Sequence, residues 1–167
     1  MAFFVVTFLG LVAGALLHSL LDRAPARRTG PRVVELWLLW FVAGGGVLSM
    51  LGGLSHIGPY APEVADSIGF AHSAFQWEVG WADIAVGLIG FLSIWNRGSF
   101  MNAAVIAMAV LYWGDAAGHV MQLVAHGNTA PNNVWTIPTD ILQPLVAVVL
   151  LVLHRGHQRS GRAAAVQ

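Results

Sequence analysis

The sequence contains no cysteine and no lysine. Without cysteine there are no disulfides, thiolate metal ligands or thiol redox chemistry, and the redox compartment stays open. Charge of either sign is scarce: 10% of the 167 residues are charged, against about a quarter in an ordinary soluble domain. Eight arginines balance eight acids. The net charge therefore carries no nucleic-acid signal, and no nucleic-acid partner is expected. A nucleophile elbow, a phosphate loop, an HExxH pair and a glycine-rich nucleotide signature are all missing, so the common hydrolase and nucleotide chemistries have no foothold.

Apolar residues are in excess, at 57% of the chain with a mean hydropathy of +0.69. A chain of one-domain length has too little interior to bury that much apolar surface, which leaves lipid as its solvent. Crossing about 30 Å of hydrocarbon takes roughly 20 helical residues at 1.5 Å each. Five stretches meet or approach this length: Ala2–Leu21, Val33–Ile57, Val79–Trp95 (opening as early as Phe75), Met101–Ala125 and Thr136–His154. The expected fold is all-α, a polytopic membrane helix bundle of about five transmembrane helices.

The arginines orient it. Arg23, Arg27, Arg28 and Arg32 separate the first two stretches, Arg97 the third and fourth, and Arg155, Arg159 and Arg162 follow the fifth. The connections Gly58–Trp77 and His126–Trp135 hold none. Five spans put all three basic segments on one side, which the positive-inside rule makes cytoplasmic, with the N-terminus out and the C-terminus in. The first stretch has no basic flank before it and four arginines after it, the reverse of a signal peptide, so it reads as a retained span. The expected location is the cytoplasmic membrane, multi-pass. Residues 1–155 form the expected transmembrane domain, with a core over 33–155, an added first span at 1–21, and a disordered cytoplasmic tail at 156–167. Tyr60, Trp77, Trp81 and Trp135 mark the outer interface and Trp37, Trp40 and Trp95 the inner one.

In the longest outer connection, Pro62 to Gly69 reads as a short helix, proline first, acids early and glycine last, able to lie over the bundle as a lid. Gly44, Gly45, Gly46, Gly52 and Gly53 thin one side of the second span, Gly87 and Gly90 the third, and Gly114 with Gly118 forms a GxxxG step; each is a candidate for close helix packing.

Ionisable groups in hydrocarbon cost about 2.5–3.5 kcal/mol each on insertion scales and usually face the bundle interior. Glu35 belongs near Arg32 or Arg97 at the boundary. Counting along each span places Asp115 roughly 3 Å outside the midplane, Asp83 and Asp140 roughly 6–8 Å and His119 roughly 9 Å. Glu78, Gln122 and His56 form a second level farther out. Carboxylates from three helices thus share one depth with His119, and no lysine or arginine is there to neutralise them. Asp115, His119 and Gln122 follow one helix face at i, i+4 and i+7.

Such carboxylates can hold protons, bind a cation, or be satisfied locally by hydrogen bonds and helix ends. The local alternative is strong for Glu78, since Ser73-Ala74-Phe75-Gln76 is a capping-box pattern, and for Asp140, beside Thr136 and Thr139. For Asp83 and Asp115 it takes the form of an interhelical network, for His119 a contact with its neighbouring Asp, for His56 an interfacial position, and for Gln122 and Gln143 plain hydrogen bonding. A haem between His56 and His119 is disfavoured by their different depths.

Phe75-Gln76-Trp77-Glu78-Val79-Gly80-Trp81-Ala82-Asp83, then Ala117-Gly118-His119 and Asp140, carry a resemblance over Ser55–His154. The stretch resembles an uncharacterised family of small bacterial and archaeal integral membrane proteins, a domain of unknown function. Such proteins usually have Asn where Asp83 stands, which counts against Asp83 as a ligand. The resemblance implies a fold class and no reaction. Glu78…Gly80…Gly87…Gly90 is also distantly similar to the DoxX-like membrane proteins, some of which accompany quinone-linked oxidoreductases.

The expectation from sequence is a binding or transport-type membrane protein. Its outer-half cluster of Glu78, Asp115, His119, Asp140 and Gln122 would take a cation, protons or a small polar ligand. If the cofactor is a divalent metal, His119, Asp115 and Glu78 are its expected ligands. The alternatives are a membrane metalloenzyme or redox accessory subunit, and a non-catalytic assembly partner. The expected partners are the lipid bilayer and a second copy or a larger membrane complex.

Overall fold

The computed structural model describes residues 2–164, which contain helix and no strand. Helix α1 spans Ala2–Leu21, α2 Gly30–Leu39 and α3 Gly45–Ile57, with a π-helical turn at Trp40–Gly44 joining the last two. Then follow α4 (Ala61–Ile68), α5 (Phe75–Leu92), α6 (Ser99–His126), α7 (Pro131–Val134) and α8 (Thr136–Ala164). Among the described residues, three continuous helical runs are long and apolar enough to cross a membrane: Gly30–Ile57, Ser99–His126 and Pro131–Gly161. Val5–Leu21 is apolar but shorter.

The helix ends follow the sequence chemistry. Pro31 stands in the first turn of α2, where its missing N–H leaves no bond unmade. The lid-like helix α4 carries Pro62 and Glu63 in its first turn and stops at Gly69, whose φ of 74° is the left-handed conformation that glycine adopts without strain. In the π-helical turn the Gly45 N–H reaches the Trp40 carbonyl, five residues back. The extra residue shifts the phase between the faces of α2 and α3.

α3 and α5 meet backbone to backbone. A Cβ on Gly46 would sit 2.5 Å from the Gly87 carbonyl oxygen, and one on Gly87 would sit 2.5 Å from the Gly46 carbonyl oxygen. Gly80 and Gly90 press on the Gly53 and Val42 carbonyls in the same way. Of the glycines expected to thin the second and third spans, Gly46 and Gly53 thus face α5 and Gly87 and Gly90 face α3, whereas Gly44 meets Leu11 and Gly45 meets Gln143. Gly114 and Gly118 do not belong to such a seam: a Cβ on either meets nothing within 4 Å. Gly52 is equally open.

The core gathers Leu38, Phe41 and Val42 from the α2 side, Val105 and Met108 from α6, and Ala147 and Leu151 from α8. α1 adds Leu11 to this cluster, and the Trp40 indole donates to His18 Nδ1 at 3.1 Å. Outward faces stay apolar: Leu20, Ile106, Val110, Val124 and Val152 are all more than 60% exposed.

The three arginine-bearing segments converge at one end of the bundle. Arg32 bonds Asp22 at 2.8 Å and Glu35 at 2.9 Å, and Arg97, His154 and Arg155 line a common cavity with Glu35. The hydrogen bond from Arg32 holds the Asp22 carboxyl below the usual carboxylate range. Glu35 thus takes the arginine partner expected of it. The disordered tail expected from residue 156 is corrected: α8 runs through to Ala164. Gly156 and Gly161 cost about 1 kcal/mol each in a helix, too little to break one continued by His, Gln, Arg and Ala. One turn is tied by a 2.8 Å bond between Gln158 and His154. Residues 165–167 lie outside the described residues.

Candidate functional site

Four helices supply a column of polar side chains through the half of the bundle away from the arginines. On α6, Tyr112, Asp115 and His119 lie three and four residues apart and so share a face. On α8, Asp140 and Gln143 are likewise one turn apart. α3 presents Ser49 and His56, and α5 presents Asp83. Asp115 lies within electrostatic reach of Asp83, Asp140 and His119, and Asp83 and Asp140 of each other. Tyr112 lies within electrostatic reach of all three carboxylates and interacts with Ser49. Ser49 in turn donates to the Asp83 backbone carbonyl at 2.9 Å. Among the described residues no hydrogen bond or ion pair engages the carboxylates of Asp83, Asp115 or Asp140, and no arginine stands near them.

Two further polar groups lie along this column. Pro144 sits inside α8 and lacks the N–H that would bond the Asp140 carbonyl, so residue 140 offers a freed backbone oxygen as well as a carboxylate. Gln143 is 7% exposed and its amide nitrogen has no hydrogen-bond partner. It packs against Gly45, where no side chain stands in its way.

At the far end the column closes on His119. Asn133, 0% exposed, donates through its side-chain nitrogen to the carbonyls of His119 (3.2 Å) and Asn128 (3.0 Å). Those two bonds fix the amide, so its oxygen faces the ring and accepts from His119 Nδ1 at 2.8 Å. Neutral His119 is therefore the Nδ1–H tautomer, with Nε2 left as an acceptor. Phe70, just past α4, covers the ring with centroids 5.6 Å apart. Asn128 and Asn132 hold α4 in place through Ile68 (2.9 Å) and Ser67 (3.0 Å).

A family of unknown function, DUF6790, has a model that matches residues 1–160. The chain belongs to that family. The DUF6790 match takes in α1, so it extends well beyond the Ser55–His154 stretch that carries the resemblance in sequence. Comparison with curated proteins and with solved structures gives no match.

Within this DUF6790 chain the expected site is only partly assembled. Asp115 comes within electrostatic reach of both His119 and Asp140, and Asp83 joins the aspartates although the resemblance in sequence counted against it. Glu78 does not: it is exposed in the first turn of α5, where a negative charge complements the helix end. The capping box does not close, because Gln76 donates to the Ala61 carbonyl at 2.6 Å instead of turning back to Ser73. Gln122 serves through its backbone carbonyl, which accepts the Asn128 N–H at 3.1 Å, and its side chain makes no hydrogen bond to the aspartates. The expected metal trio of His119, Asp115 and Glu78 is corrected accordingly. Among the described residues no three His, Cys, Asp or Glu side chains approach closely enough to hold a metal ion. Thr136 and Thr139 donate backwards to the Asn132 and Thr136 carbonyls, leaving Asp140 without a local cap. Tyr112, Ser49 and Asn133 carry no sequence signal beyond helical spacing.

Proposed function

We propose that the chain is an integral membrane protein that crosses the bilayer five times and binds protons, or a small cation in their place, at Asp83, Asp115 and Asp140. The crossing is supported by the apolar outward faces and by the convergence of the basic segments at one end. That end would lie in the cytoplasm under the positive-inside rule. The single observation that carries the site is three carboxylates from three helices within electrostatic reach of one another, with no arginine beside them and no hydrogen-bonding partner among the described residues. Like charges in a low-dielectric interior repel strongly and must be balanced by bound positive charge. Protons meet that need without a coordination sphere, and among the described residues no three-ligand metal group is formed. His119, held through Nδ1 by Asn133, keeps Nε2 as a proton acceptor at the outer end of the column.

Infrared difference spectroscopy of the full chain in lipid tests this. A carboxylic-acid carbonyl band should titrate with pH and shrink in each of Asp83→Asn, Asp115→Asn and Asp140→Asn. Thermal unfolding with added monovalent and divalent cations forms the second arm. No titrating band and no cation response in the wild type, with the variants merely less stable, would reduce the cluster to a structural network.

A further inference from the structure

The opposite end of the bundle holds a second arrangement, unrelated to the aspartates. A cavity of about 230 Å³ opens between α2, α6 and α8, lined by Glu35, Arg97, Asn102, His154, Arg155 and Gln158. It is several times the roughly 30 Å³ share of a water molecule, room for a phosphate group and the first atoms esterified to it.

Its charge is positive. The single acid, Glu35, is already engaged by Arg32 at 2.9 Å. Arg155 is held at Nε by the Asn102 carbonyl oxygen, 3.1 Å away. Among the described residues nothing bonds its two terminal nitrogens, and no hydrogen bond or ion pair engages Arg97. A guanidinium fixed at Nε with its outer edge open is disposed for bidentate contact with an oxyanion. The 28-residue helix α6 begins at the same place: Gly98 caps it with no side-chain hydrogen bond, so its first N–H groups add positive potential beside Met101 in the cavity wall. Trp95, 65% exposed, lies two residues before Arg97. Tryptophan favours the headgroup level of a bilayer, which sets the cavity at the depth of lipid phosphates.

We propose that this cavity binds a phosphate oxyanion through Arg97 and Arg155, carried either by an anionic phospholipid headgroup or by free phosphate. Basic pockets between membrane helices are known to take such headgroups. The lipid source rests on the membrane reading above; the oxyanion chemistry does not, and neither depends on the aspartate cluster.

The test uses the full chain in detergent, with thermal unfolding and native mass spectrometry as readouts. The probes are phosphatidylglycerol, diacylglycerol with the same chains, and inorganic phosphate. Phosphatidylglycerol should raise the unfolding temperature where diacylglycerol does not, and affinity should fall roughly five-fold for each arginine removed in Arg97→Gln and Arg155→Gln. Arg159→Gln, outside the cavity, should bind as wild type does. A rise with inorganic phosphate alone assigns the free anion. Should the double variant fold poorly, the single variants and the wild-type mass spectra still decide. Equal rises in unfolding temperature with diacylglycerol and phosphatidylglycerol, no effect of any probe, or full retention in the Arg97→Gln/Arg155→Gln protein would each overturn the proposal.

Discussion

Replacing Gly87 with alanine puts a methyl carbon where the α3 backbone already stands. The new atom would lie 2.5 Å from the Gly46 carbonyl oxygen and 2.8 Å from the Met50 nitrogen. A comfortable carbon–oxygen approach is about 3.3–3.6 Å, so α3 and α5 must part by nearly 1 Å at that level. Backbone on the far side cannot swing away as a side-chain tip would. Overpacking of this kind costs roughly 1–3 kcal/mol, while alanine returns about 1 kcal/mol of helix propensity. Gly52→Ala, on the same helix pair but facing open space, gains the propensity without the clash. The difference between the two alanine variants therefore isolates the steric cost, at about 2–4 °C of unfolding temperature per kcal/mol for a chain of this size. Circular dichroism melts in one detergent measure it. Gly87→Ala melting at or above Gly52→Ala would refute the seam.

Asn133→Ala should cost about 1–3 kcal/mol, because it strands buried carbonyls and the His119 Nδ1–H; a melting temperature within error of wild type would count against that network. The Asp22–Arg32 contact makes a contribution that is whole above the ordinary carboxylate range, about pH 4. It is lost as the pH falls through the depressed value in the folded protein. Wild type should accordingly lose stability over that acid window relative to Asp22→Asn, and parallel pH profiles would contradict it. Glu78→Gln and Gln122→Ala should leave the titrating carboxylic-acid band unchanged, since neither side chain meets the aspartates; loss of the band in either would restore the wider site.

Much of the helical layout was legible because it rests on local rules. Hydropathy located the long helices, Pro62 and Gly69 bounded α4, and the arginine distribution anticipated that the basic segments would converge at one end. Depth counting brought Asp83, Asp115 and Asp140 to one level. It could not see rotation about the helix axis, which is why Glu78, one level farther out, faces away and Gly114 with Gly118 meets nothing. Gly46 and Gly87 were visible as small residues, but their mutual contact is a property of two helices at once. The role of Asn133 was hidden because it arises from a four-residue helix folding back on α6. The tail was misread because its polar composition resembles a disordered segment, whereas its register continues α8.

The glycine seam has a mechanical consequence. It locks α3 to α5 so closely that the two behave as a single stiff half, and α6 packs chiefly on α8 as the other. Asp83 rides on the first half; Asp115 and Asp140 ride on the second. The three carboxylates therefore straddle the boundary between the two pairs, so a change in their total charge of the kind proposed above would act across that boundary as well as within the second pair.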